Sequence, residues 1–316
     1  MHTKIISDCL HKMNYPFELH EYELLAGGIS GAHTYRVQLG ANTAVLKVTL
    51  AESEDFILLR AQRERTFYQS LAKQLPLQTP QLLSSYTAPD FGYCFLLTAH
   101  QPILTWEQKD FENVARQLAC LHATFWKGDP ELTNGNWLKW TPASATQPEI
   151  EAATSTWRTL QSQDRLKSIF TSETNRLLSQ QLAHLKTIDN LIQTVPLTLC
   201  HGDCHMGNFL KDAQGNLIWA DWQEVGLGYG PEDLSFFLQR GAHSGRAIPS
   251  EHMLKSYHQA LTTQIDTSLS LTNLEQVVHA SELRTLLLQW PFYIQDAPIE
   301  QVRHILERIA LLAQYL

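Results

Sequence analysis

Between two apolar runs the chain carries LTLCHGDCHMGNFL, residues 197–210, which gathers His201, Asp203, His205 and Asn208 with Cys200 and Cys204. These residue types suit two chemistries. His201, Asp203 and His205 alternate, so on an extended strand they would share a face, and with the flanking thiols they offer a mixed zinc set for a His/Asp metal hydrolase. Against this, Gly202, Met206 and Gly207 suggest a loop, and no second His or Cys group follows at metal-like spacing. The other chemistry is phosphoryl transfer, where the protein supplies positioning and electrostatics. It needs a carboxylate to orient and deprotonate a hydroxyl, hard oxygen ligands for Mg²⁺, a cation on the nucleotide phosphates and a backbone cradle. Asp203 and Asn208 have the five-residue separation of a kinase base and its metal-binding asparagine. A second carboxylate, Asp221, ends NLIWAD after a turn at Gly215-Asn216. On this reading His201 orients the loop and is not a ligand.

The upstream half must supply the cation. Lys47 ends AVLK on a predicted strand and shares a face with Val45, so it points inward and needs a partner. Seventeen residues on, Glu64 lies on a helical stripe with Phe67, Tyr68 and Leu71. An inward carboxylate and an inward ammonium from adjacent elements make a pair. The segment AGGISGAH places Gly27, Gly28, Ser30 and Gly31 ahead of that strand, where backbone N–H groups could cover phosphates. It is not a G-x-G-x-x-G loop.

The elements that would position these residues follow from periodicity. Alternation through Tyr35, Val37 and Leu39, a turn at Gly40-Ala41-Asn42 and a second run through Val45 and Lys47 predict a hairpin within residues 22–50. A helix is expected over 53–75, ended by Pro76, and a strand over 93–97. From Thr105 the texture turns helical. Thr105 with Gln108 fits a capping box, and Phe111, Val114, Leu118, Leu121 and Phe125 follow at helical spacing. Residues 128–156 look irregular, 176–195 helical, and the part after Ser235 mostly helical with a break near Pro291.

With these residues in view, LCHGDCHMGNFL followed by LIWADWQEVGLGYGPEDLSFFL resembles the phosphotransferase family of small-molecule kinases, which includes aminoglycoside and macrolide phosphotransferases and choline kinases. RERTFYQSLA and LACLHATFW are also similar to that family's helices, the second to its choline-kinase-like and ecdysteroid-kinase-like branches. The resemblance runs over about residues 22–240. It implies an α+β, protein-kinase-like two-lobed fold with a strand-rich N-lobe and a mainly helical C-lobe. It also implies Asp203 as base, Asn208 and Asp221 on Mg²⁺, Lys47 on the nucleotide phosphates, Glu64 holding Lys47, and Asp233 as a structural acid under the loop. Where protein kinases have Asp-Phe-Gly, this chain has Asp221-Trp222-Gln223.

Composition narrows the remaining classes. A net charge of -8 argues against a general nucleic-acid binder. Five scattered cysteines fit reduced thiols in a cytoplasmic protein. No run of about 18 apolar residues predicts a membrane span, and no obligate protein partner is inferred. The expected division is a nucleotide-binding lobe over 1–99 and a catalytic and substrate lobe over 100–316, hinged near 98–104, with a variable helical insert at 128–195. The short interval between Asp221 and GPEDLSFF leaves little room to dock a polypeptide, so the acceptor is expected to be a small molecule with a hydroxyl. The negative net charge suggests a cationic one, with Glu224 and Glu232 as candidate acidic walls and Trp222 and Trp126 as candidate pocket walls. ATP, with GTP as the alternative, and Mg²⁺ are the expected cofactors. The competing reading within this fold is a nucleotide- or ligand-binding protein with little activity.

Overall fold

The first element is one the sequence reading did not anticipate. Helix α1 (His2–Lys12) buries Ile6, Cys9 and Leu10 on one stripe. In the computed structural model, which describes residues 2–25, 32–128, 136–140, 144–243, 247–266 and 268–315 (side chains of 140, 242 and 243 excepted), this stripe covers one face of a five-stranded sheet. The sheet comprises β1 (Leu19–Leu24), β2 (His33–Leu39), β3 (Asn42–Leu50), β4 (Leu82–Ala88) and β5 (Gly92–Thr98), antiparallel throughout in the order β1-β2-β3-β5-β4. Strand alternation decides what each face does. Tyr35, Val37, Leu39, Leu46 and Val48 point to α1. Thr34, Arg36, Val45, Lys47, Phe95 and Leu97 line the cleft on the other side. The predicted hairpin is present, with Gly40 at φ +58° in its turn.

Helix α2 (Asp55–Ser70) turns Ala61, Glu64, Phe67 and Tyr68 inward. It ends earlier than expected, and a single 3₁₀ turn over Ala72–Gln74 completes the predicted span. The chain then crosses to the helical lobe through β6 (Gln101–Pro102) and α3 (Gln108–Thr124). The capping box at the start of α3 is formed by Glu107 and Asp110, not by Thr105 and Gln108. Residues expected to be irregular contain β7 (Lys139–Trp140) and α4 (Gln147–Ser162). The signal for α4 was present: Thr146 and Glu149 form a reciprocal capping box with proline in the first turn.

Helices α5 (Ser172–Ala183) and α6 (Leu185–Ile192) follow, then β8 (Leu197–Cys200), β9 (Phe209–Lys211), β10 (Leu217–Trp219) and β11 (Gly226–Tyr229). β9 and β10 form a hairpin that β6 extends, while β8 pairs with β11, which also pairs with β7. The remainder is helical: α7 (Gly230–His243), α8 (Ser250–Gln264), α9 (Leu271–Leu288), the short α10 (Trp290–Tyr293) and α11 (Ile299–Leu312). The architecture is therefore the expected strand-rich N-lobe on a helical C-lobe. One apolar core is shared between them: Phe67, Tyr68, Phe95 and Leu97 pack with Leu118, Phe209, Trp219, Trp222 and Phe237. No helix among the described residues is long and apolar enough to cross a membrane.

Candidate active site

β8 ends at Cys200, and the loop that follows is held from below by a buried acid. Asp233, on the first turn of α7, accepts from the backbone N–H of His201 at 2.7 Å and of Gly202 at 2.9 Å. His122 of α3 lies against the same carboxylate at 3.3 Å, and its other ring nitrogen meets the Tyr257 hydroxyl at 2.7 Å. Burial opposes the charge on Asp233, but these contacts outweigh it and hold the carboxyl below the ordinary range. Gly202 is required here. Its φ is +80°, and a Cβ would lie 2.2 Å from the Glu224 carbonyl oxygen.

Within the loop, His201 is buried and its imidazole is used at both ends. Nε2 lies 3.0 Å from the Ala220 carbonyl, and Nδ1 accepts the Asp203 N–H at 3.2 Å. That fixes the neutral tautomer with the proton on Nε2 and leaves no lone pair for a metal, so the zinc arrangement suggested by the alternating residues is not formed. Cys200 and Cys204 are buried, which pushes both thiols up. Asn208 closes the loop: its side-chain amide donates to the Asp203 carbonyl at 2.8 Å and to Asp203 Oδ2 at 3.3 Å. The amide oxygen of Asn208 is thereby turned away from Asp203. His205 Nδ1 accepts from Gly207 at 3.1 Å, and burial lowers its ring below the ordinary histidine range.

The upstream cation arrives from the opposite lobe. Lys47 Nζ lies 2.7 and 2.8 Å from the two Glu64 oxygens and 2.7 Å from Asp221 Oδ1. Burial works against the ammonium, yet the two carboxylates raise it above the ordinary lysine range. Burial likewise raises Glu64 against the pull of Lys47, with the Asp221 charge adding to the rise. At Asp221 burial is overcome by Lys47, and the carboxyl is held low. Two carboxylates share one ammonium, so the cluster has an acceptor oxygen in excess. Asp221 is itself in the left-handed region at φ +63°, a strained conformation for a residue other than glycine.

Lys47, Glu64, Asn208 and Asp221 line a cavity of about 440 Å³ between the lobes. Val45 on the sheet side and Leu210 on β9 line it too, with Pro80, Phe95 and Leu97 toward β4 and β5. Gly27, Gly28, Ser30 and Gly31 lie outside the described residues.

Three expectations about the pocket walls need correction. Glu224 is not a free acidic wall, because it is paired with Arg60 and with Lys139 Nζ at 2.6 Å, and Arg63 lies 3.9 Å away. Glu232 faces Arg284 at 3.4 Å and accepts the Tyr229 N–H at 3.2 Å. Trp222 is fully buried, stacked on Phe67 at 4.3 Å and 12°, with its indole N–H on the Trp219 carbonyl. The helical stripe identified Glu64 but gave no sign that Arg60 and Arg63 reach the segment after Asp221. Periodicity names a face, not the partner across it.

A search of the curated proteins with the sequence gives no match. Among solved structures, aminoglycoside 2'-phosphotransferase-IIIa in its GDP complex superposes with a TM-score of 0.66 at 12% identity, over 100% of both chains. Spectinomycin phosphotransferase, in complex with ADP and spectinomycin, gives 0.58 at 16% identity over 99% of this chain and 98% of that one. Choline kinase LicA from Streptococcus pneumoniae gives 0.57 at 14% identity over 98% and 100%. The sequence profile of the phosphotransferase enzyme family matches residues 21–267, and the chain belongs to that family.

Proposed function

We propose that the protein transfers the γ-phosphoryl group of ATP or GTP to a hydroxyl of a small molecule. The observation that carries this reading is the meeting of Lys47, Glu64 and Asp221, the last 174 residues from Lys47 in sequence, beside the Asp203–Asn208 loop. Val45 and Leu210 would hold the nucleobase between the lobes, and Lys47 would meet the phosphates with Glu64 keeping it extended. Asp203 takes the proton of the acceptor hydroxyl as that oxygen bonds to the γ-phosphorus and the bond to the β-phosphate oxygen breaks. His201 positions Asp203 through its backbone. Mg²⁺ fits the donor set: Asn208 turns an amide oxygen away from Asp203, and the carboxylates around Lys47 outnumber it. When bound there by Asn208 and Asp221, the ion would neutralise phosphate charge.

The complexes of structural neighbours with GDP and with ADP support nucleotide use. Kanamycin and spectinomycin in such neighbours support a small-molecule acceptor. A cationic acceptor loses two of its candidate acidic walls, since Glu224 and Glu232 already face arginine or lysine. The test is Asp203→Asn, assayed with Mg²⁺ and both nucleotides across amino sugars, macrolides, choline-like amines and sugars. Turnover should fall about 10²–10⁴-fold, with nucleotide affinity changed by no more than about threefold. Near-normal turnover would remove Asp203 from the role of base.

A further inference from the structure

Three cations line the interlobe cavity: Arg36, Lys47 and Arg60. Lys47 is held by Glu64 and Asp221, and Arg60 by Glu224. Arg36 differs. Its Nε is shut off from solvent without a hydrogen-bond partner, and among the described residues no carboxylate pairs with it. Its cross-strand neighbour on β1 is Glu23, which is exposed and makes no ion pair with it. That leaves one buried N–H donor of the guanidinium unsatisfied, which opposes folding, and an acceptor entering the cavity from outside the chain would satisfy it.

Its reach and its chemistry, more than the Val45 it stands opposite, indicate which acceptor. Arg36 stands opposite Val45 on β3, and Thr34, two residues away on the same face, stands opposite Lys47. Two strand residues span about 6–7 Å, a distance that an extended arginine side chain can cover. A planar fork with several N–H donors suits phosphate oxygens better than it suits an apolar base slot. We propose that Arg36 is a nucleotide-binding residue whose guanidinium pairs with a phosphate oxygen of the bound nucleoside triphosphate, beside Lys47. This rests on the nucleotide reading given above.

Calorimetric titration with ATP, GTP, adenosine and guanosine, with Mg²⁺ present, tests it on the wild type, Arg36→Gln and Arg36→Lys. In Arg36→Gln the affinity for the better triphosphate should fall about 10–100-fold, while the matching nucleoside stays within about twofold. Arg36→Lys should fall between, because a point charge replaces a fork. The melting temperature of free Arg36→Gln should equal or exceed that of the wild type, since an unsatisfied buried N–H donor has been removed. Triphosphate affinity unchanged in Arg36→Gln would overturn the proposal and leave the nucleotide reading intact. An equal loss for nucleoside and triphosphate, or a lowered melting temperature that Arg36→Lys restores, would mark a packing role and also overturn it. A wild type that binds neither triphosphate would instead defeat the nucleotide reading itself.

Discussion

At the scale of single residues, the site depends on buried groups that never face the cleft. Asp233 is the clearest case. It gathers two backbone N–H groups and His122 around one carboxylate, and so fixes where Asp203 stands. Asp233→Asn should destabilise the fold by about 2–3 kcal/mol, because charge-assisted bonds are lost in a buried place. Its carboxyl is held low in the folded chain, so this stabilisation is fully present above the ordinary carboxylate range. It is lost as pH falls through the folded value. Urea unfolding should therefore show the largest gap between wild type and Asp233→Asn near neutrality, closing in acid; a gap that widened in acid would contradict the assignment. Asp203, Asn208, Asp221, Lys47 and Glu64 were legible in the sequence because spacing and face suffice to single them out. Arg36 was not. On a strand it reads as one more polar alternate, and only its place in the cavity wall together with an unsatisfied Nε distinguishes it.

At the scale of elements, the loop between β8 and β9 and the segment after β10 are fitted to each other. Gly202 passes so close to the Glu224 carbonyl that no side chain fits, and its φ of +80° would strain any other residue. Gly202→Ala should cost about 2–4 kcal/mol by denaturant unfolding, from left-handed strain plus the clash. It should also depress turnover more than nucleotide affinity, because on the proposed reading the loop carries the base Asp203 while Lys47 and Val45 on the sheet would hold the nucleotide. Loss of neither stability nor turnover would mean that the loop relaxes freely. Elements of strong period were readable: the β2–β3 hairpin, α3 and the strand pair around Gly215 follow hydrophobic alternation and turn chemistry. Two were missed for different reasons. α1 buries only three residues on a short, otherwise polar stretch, too little pattern to single it out. α4 was hidden by its proline and threonines, although its capping box was written in Thr146 and Glu149.

At the scale of the whole molecule, the two lobes expected from the sequence are joined by one interior. Phe67 and Trp222 stack across the boundary, and the backbone N–H of Trp219 donates to the Gln78 carbonyl at 2.9 Å. The same contact ties α2, and with it Glu64, to the residue after Asp221. Calorimetry should accordingly show one unfolding transition, shifted as a unit by Trp222→Ala, whose cost of about 3–5 kcal/mol follows from deleting a large buried ring. Two well-separated transitions would mean that the shared core contributes little. The outer face of the sheet has a separate fate. It is roofed by α1 and the residues just after it, with His2 reaching Tyr35 and Ile6, Cys9, Leu10 and Met13 seated on the strands. A shortened chain beginning at Met13 would keep every residue of the cleft and still present a bare apolar sheet to its neighbours. Such a chain would fail through insolubility and self-association, even though its chemistry was untouched.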